Sequence, residues 1–135
     1  AAAFDRSAPP RTVNWGLERT NTRLIDAATA GLAKGDLPRL RLLWAFAYPD
    51  ALRARSQPTL AGGAIHVGSH DGTVYALDQA TGCIRWSYLA SSEVRTGIVV
   101  SPWTAGDPAA RPTVHFGDLV GNVYALDAAT GAELW

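Results

Sequence analysis

The chain has 135 residues, 47% of them apolar, and its twelve basic residues balance twelve acidic ones. That length and composition support one domain-sized core, while the neutral balance offers no footprint for nucleic acid and no polybasic tether to a membrane surface. No apolar run approaches the ~18 residues of a membrane span, and the single cysteine, Cys83, excludes an internal disulfide.

In chain order, residues 1–12 read as a flexible N-terminus, and Ala1-Ala2-Ala3 has the small residues of a signal-peptide cleavage remnant. Residues 13–56 form a lead-in segment containing Trp15-Gly16-Leu17 and Asn21-Thr22-Arg23. Within it, Asp26–Ala33 predicts a short helix, capped by Asp26 and ended by Gly35, and Pro38 bars a longer one. Leu40–Phe46 reads as a strand carrying Trp44.

Beyond the lead-in, the sequence repeats. Gly68–Trp86 and Gly117–Trp135 lie 49 residues apart and agree at eleven of nineteen positions, with Val-Tyr-Ala-Leu-Asp at the centre of each copy. The match extends upstream, where Ile65-His66-Val67-Gly68 faces Val114-His115-Phe116-Gly117. A period of ~40–50 residues built from strands is the signature of propeller blades. Val74–Leu77 alternates bulky and small side chains as a strand does, and Asp78–Gly82 reads as a hairpin turn. Gly82 suits the positive-φ position of that turn. Ile84–Tyr88 returns as the next strand, while Gln57–Ala61 and Ala64–Gly68 are joined by Gly62-Gly63. Blade 1 is therefore expected over residues 57–92. Blade 2 is expected over 93–135, with strands Val94–Ser101, Thr113–Gly117, Val123–Asp127 and Ala132–Trp135, an inserted loop Pro102–Pro112 and a truncated last strand. The fold class is all-β: a partial β-propeller of about two four-stranded antiparallel blades, plus an N-terminal strand and short helix.

Ala76-x-Asp78-x-x-Thr81-Gly82-x-x-x-Trp86 resembles the tryptophan-docking motif of quinoprotein propellers, and Ala125-x-Asp127-x-x-Thr130-Gly131-x-x-x-Trp135 matches it equally. In that family each motif tryptophan packs flat on a neighbouring blade, burying ~150–250 Å² of ring. The order Trp-Gly-Leu, Asn-Thr-Arg, short helix, Leu40-x-Leu42-x-Trp44 and then Gln57-Pro58-Thr59 is similar to the start of the propeller in quinoprotein alcohol dehydrogenases, most of all the polyvinyl-alcohol dehydrogenases. The resemblance implies that the lead-in strand belongs to a neighbouring blade and that the chain is an N-terminal piece of a longer ring. Two blades alone leave faces and edges exposed. Association with the remaining blades, or of copies with each other, is expected.

The resemblance also implies pyrroloquinoline quinone (PQQ), a flat tricarboxylate, as cofactor in the complete ring, with Ca²⁺ held by residues outside this chain. Such a ligand calls for guanidinium groups. Arg95, in Val94-Arg95-Thr96-Gly97, resembles the family's cofactor-contacting segment, so Arg95 and Thr96 are expected at the cofactor. Arg55 and Gln57 are further candidates, with Arg55 standing where several relatives carry a glutamate. The paired cysteines of many members are replaced by Ala90-Ser91-Ser92.

Other polar residues have simpler readings. His66 and His115 occupy equivalent repeat positions and read as structural, His70 and Asp71 as turn residues, and Cys83 as a buried or unpaired thiol. Asp78 and Asp127 are explained by their turns. No residue is assigned a catalytic or metal-ligand role, and no Ser-His-Asp arrangement, phosphate loop or haem-attachment motif is present. The expected function is that of a piece of a PQQ-dependent alcohol dehydrogenase, periplasmic or secreted, inactive alone and passing electrons to a cytochrome c or another acceptor. The alternative is a non-catalytic scaffold or interaction propeller.

Overall fold

The computed structural model describes residues 3–11, 15–16 and 20–135. Leu17 of the lead-in motif and Ala1-Ala2 of the alanine run lie outside the described residues. Helix α1 (Ala27–Ala30) begins as the sequence predicts, because the Asp26 carboxylate accepts the Thr29 amide at 2.7 Å. It ends at Gly31 rather than Gly35. Gly31 is the first residue able to take the left-handed C-terminal conformation without a Cβ penalty, and it does so at φ 63°. A 3₁₀ turn, Lys34–Arg39, follows and contains Pro38.

Strands β1 (Thr59–Ala61), β2 (Ala64–Gly68), β3 (Thr73–Asp78) and β4 (Ile84–Leu89) form an antiparallel sheet in sequence order. Strands β5 (Val99–Val100), β6 (Thr113–Gly117) and β7 (Val123–Asp127) form the second sheet, also in sequence order. The fourth strand expected of blade 2 is reduced to one bridge, Leu126 to Glu133. Gly62 and Gly63 both take positive φ, 62° and 70°, as a two-residue hairpin turn requires. Thr59 and Val99, which face the equivalent His66 and His115, are 40 residues apart, whereas the histidines are 49 apart. The loop after Ser101 supplies the difference.

That loop has a partner at the other end of the chain. The Trp103 indole and the Gly106 amide donate to the Arg6 carbonyl at 2.7 and 2.8 Å, and the Phe4 and Trp103 rings lie 5.4 Å apart. The Asp5 amide donates to Gly62 O at 3.0 Å. Within the stretch read as a flexible N-terminus, the structure thus holds Phe4–Ala8 against both blades.

Alternation along the strands sorts side chains into two layers. From blade 1, Ala64, Val74, Ala76 and Trp86 pack with Val114, Phe116, Tyr124 and Leu126 of blade 2 in one core. On the opposite face, Val67, Tyr75 and Leu77 pack with Trp44, Phe46 and Tyr48 of the lead-in. Leu40–Phe46 is not a strand as expected, because no described strand lies alongside to supply ladder bonds. It nevertheless delivers Trp44 to the anticipated place. The Trp44 indole donates to Gln79 O at 3.1 Å, and its ring fills the space where a Gly82 Cβ would lie, 2.7 Å from the ring. Trp86 does the same one blade later, donating to Ala128 O at 3.0 Å and covering Gly131 at the same 2.7 Å. Docking therefore runs one way: Trp44 and Trp86 each sit on the Asp-x-x-Thr-Gly turn of the following blade.

Candidate cofactor-binding site

β1 and β5 are the edge strands of their sheets and lie side by side. The Ile98 amide donates to Gln57 O at 3.4 Å, and the Thr59 hydroxyl donates to Ile98 O. The segments entering these strands, residues 53–58 and 93–98, carry every residue expected at the cofactor.

Val94 and Thr96 face the sheets. Val94 packs on Gly68 so closely that a Cβ there would lie 2.5 Å away. The Thr96 hydroxyl donates to Gly117 O at 3.1 Å and accepts the Gly117 amide at 3.3 Å. Ser56 makes the equivalent clasp in blade 1, donating to Thr96 O at 2.7 Å and accepting the Gly68 amide at 3.1 Å. The Thr96 hydroxyl is thus tied to backbone in this structure.

Glu93 and Arg95 face the other way and meet. An Arg95 guanidinium nitrogen donates to Glu93 Oε2 at 2.7 Å, and His70 Nε2 lies 3.6 Å from the same oxygen. The Glu93 side chain is 8% exposed and that of Arg95 39%. The Arg95 guanidinium holds the Glu93 carboxyl below the usual carboxylate range against the opposing effect of burial, and the nearby charges of His70 and Arg55 act in the same direction. Glu93 in turn raises the Arg95 pKa. Two buried atoms, Glu93 Oε1 and Arg95 Nε, have no hydrogen-bond partner among the described residues.

Gln57 sits beside this group but is tied to the lead-in, its amide oxygen accepting the Gly16 amide at 3.0 Å. The Trp15 ring lies against Gly97 and near Gln57, and a Cβ on Gly97 would come within 2.9 Å of it. Arg55 is exposed, and its charge is felt at Glu93. Of the four residues expected at the cofactor, Arg95 binds a buried carboxylate and Arg55 is exposed and makes no ion pair with it, whereas Thr96 and Gln57 serve backbone contacts.

Sequence reasoning missed Glu93. Its signal was a carboxylate two residues before Arg95 in an extended segment, where side chains at that spacing share a side. His70 belongs to its turn as expected, but its ring also reaches the site. Among the described residues no group of three His, Cys, Asp or Glu side chains could hold a metal ion.

The remaining polar residues behave as their turns demand. Asp78 and Asp127 each accept two turn amides and a threonine hydroxyl, at 2.8–3.1 Å. His66 and His115 pack against the tryptophan of their own blade at 5.7 and 6.0 Å between ring centres. Cys83 is a free thiol and exposed, not buried.

A family model, PQQ_2, described as "Outer membrane protein assembly factor BamB", matches residues 41–135. Two curated proteins are similar over 78% of the chain: a polyvinylalcohol dehydrogenase of Pseudomonas sp, 38% identical, and one of Sphingopyxis sp. (strain 113P3), 35% identical. The chain spans only 16% and 15% of their lengths. The quinohemoprotein alcohol dehydrogenase from Comamonas testosteroni has the same fold over 98% of this chain and 19% of its own, with a TM-score of 0.68 at 24% identity. No helix among the described residues is long and apolar enough to cross a membrane.

Proposed function

Because the chain belongs to the PQQ-repeat (PQQ_2) family of β-propellers, we propose that it forms part of the cofactor-bearing ring of a PQQ-dependent alcohol dehydrogenase. Its substrates are secondary or polymeric alcohols, polyvinyl alcohol among them. The observation that carries this reading is the meeting of Arg95 and His70 at buried Glu93, where the two edge strands begin.

The residues present fit a flat polycarboxylate. The Arg95 guanidinium is partly exposed, and its buried Nε has no partner among the described residues. Arg95 and Arg55 would hold ligand carboxylates or a quinone oxygen by charge-assisted hydrogen bonds. Trp15 would offer a flat wall, and Gln57 and Thr96 would set the shape of the strand ends. When bound, the quinone supplies the acceptor for the alcohol's hydride. Ca²⁺ ligands and the catalytic base are assigned to residues outside this chain, so the chain alone has no turnover. Its exposed blade-2 face takes a further blade. Head-to-tail pairing of copies would require displacing Trp44 from the Asp78 turn. The electron acceptor is a cytochrome c or an equivalent carrier, and the location is periplasmic or secreted.

A second reading, a non-catalytic scaffold, is favoured by the description of the matching family model as an outer-membrane assembly factor. The two separate on one measurement: dye-linked oxidation of 2-propanol and polyvinyl alcohol by the longer protein that carries the remaining blades, after loading with PQQ and Ca²⁺. Oxidation that Arg95→Ala reduces at least tenfold supports the dehydrogenase. A protein that neither binds PQQ nor oxidises alcohols is a scaffold.

A further inference from the structure

Glu93 has the wrong charge for a site that grips a polycarboxylate. A carboxylate repels an anionic ligand, and burying it carries a desolvation penalty. Yet the backbone that carries this carboxylate is pinned on both sides. The Glu93 carbonyl accepts the Leu119 amide at 2.9 Å, from the turn after β6. The next amide, that of Val94, donates to Ser69 O at 3.1 Å, from the turn after β2. Glu93 is therefore held by both blades at once. Other carboxylates nearby are already engaged: Asp71 accepts from Thr73, and Asp118 accepts from Asn122 and Tyr124. Arg95 hangs from a long side chain and has one fixed contact, the 2.7 Å bond to Glu93. An arginine side chain loses much rotamer freedom when ordered. A partner that orders it beforehand removes that term from ligand binding.

Resting on the reading of this site as the quinone site, we propose that Glu93 is a positioning residue, holding one edge of the Arg95 guanidinium so that the other N–H groups face a planar aromatic polycarboxylate. His70 lies against the same Glu93 oxygen, 3.6 Å away. Glu93 does not touch the ligand itself.

The sign of the effect tests this. If Glu93 acted only through its charge, removing the charge would tighten anion binding. Positioning requires the opposite. Calorimetric titration of the protein with PQQ, and separately with redox-inert benzene-1,3,5-tricarboxylate, should show Glu93→Gln binding both about tenfold more weakly than wild type. Arg95→Gln should also weaken binding, and the double variant should be no worse than Arg95→Gln alone, because the two residues act as one unit. Equal or tighter binding by Glu93→Gln, or losses that add, would overturn the proposal. Near-UV circular dichroism checks that the variants are folded. Should Glu93→Gln fail to fold, Glu93→Asp decides: it keeps the charge but withdraws it by one methylene, so positioning expects weaker binding and charge balance expects none. Wild type that binds the tricarboxylate but not PQQ would sink the quinone reading and leave Glu93 to be judged on the tricarboxylate. Wild type that binds neither sinks both.

Discussion

The two blades carry the same residues at matching positions and bury them very differently. Val74 is fully buried, and its repeat counterpart Val123 is 62% exposed; Trp86 is 8% exposed and Trp135 63%. The strands that hold the two valines pair in the same register, Gly68 with Val74 in blade 1 and Gly117 with Val123 in blade 2. What differs is the neighbour. Blade 1 has the lead-in on one face and blade 2 on the other, while blade 2 has a described partner on one face only. Both docking turns are occupied, the first by Trp44 and the second by Trp86, so no such turn is left for Trp135 among the described residues. Burial in this architecture is thus a property of the next blade and not of the motif.

The largest test of that contrast removes the rings. Trp86→Ala should cost about 3–5 kcal/mol, the range for deleting a large buried aromatic, with the Ala128 carbonyl losing its donor as well. Trp135→Ala should change stability by less than about 0.5 kcal/mol, as exposed positions do. Urea unfolding followed by circular dichroism measures both. Equal costs would mean that Trp135 is covered in solution, and the asymmetry between the blades would vanish.

A second test uses the histidines beside those rings. His66 is fully buried, and burial pushes its pKa from 6.5 down to about 4 against the opposing effect of the Ala128 and Thr59 backbone. His115 is only half-buried and pairs with the Thr113 hydroxyl at 2.7 Å. Between those two pH values the unfolded chain binds a proton that the folded His66 refuses. Its stabilising contribution is therefore full above about pH 6.5 and falls by roughly 3 kcal/mol as the pH drops to about 4. His66→Phe should flatten that slope, and His115→Phe should leave it in place. Unfolding free energies measured across the window decide it. A slope unchanged in His66→Phe would show that other groups govern the acid response.

Sequence carried the parts of this fold that are local or repeated. The Asp78 and Asp127 turns, the Gly62-Gly63 hairpin and strands β2, β6 and β7 follow from alternation and turn chemistry within a few residues. It did not carry the parts that depend on distant partners. Leu40–Phe46 has strand-like alternation but no strand beside it. Phe4–Ala8 reads as a loose end because nothing nearby in sequence reveals that Trp103 and Gly62 wait for it. The docking direction is not written in the motif; it follows from Trp44 and Trp86 each lying on the following turn. In the site, Arg95 and Arg55 were legible as cations, but Glu93 was not, since its burial comes from the turns after β2 and β6 folding over it. Arg85 is a further example: it clamps Asp78 at 2.8 Å and also reaches Gly62 O and Gly63 O, whereas the repeat places Leu134 at the matching position in blade 2.

The smallest test isolates packing from backbone strain. Gly72 and Gly121 occupy equivalent turns with nearly equal dihedrals, φ 93° and 95°. An added Cβ at Gly121 would meet nothing within 4 Å, whereas at Gly72 it would lie 2.9 Å from Ser92 O and 3.2 Å from Ala90 O. Alanine at either site bears the penalty of positive φ, about 1–2 kcal/mol. Only Gly72→Ala must also push back the backbone that leads into Glu93. Gly72→Ala should therefore be the more destabilising of the pair in urea unfolding, and it alone should weaken tricarboxylate binding, because Ser92 cannot move without moving the carboxylate that aims Arg95. Should the two substitutions prove equal in both measurements, the 90–92 backbone yields freely, and the tight hold on Glu93 at the blade junction is lost with it.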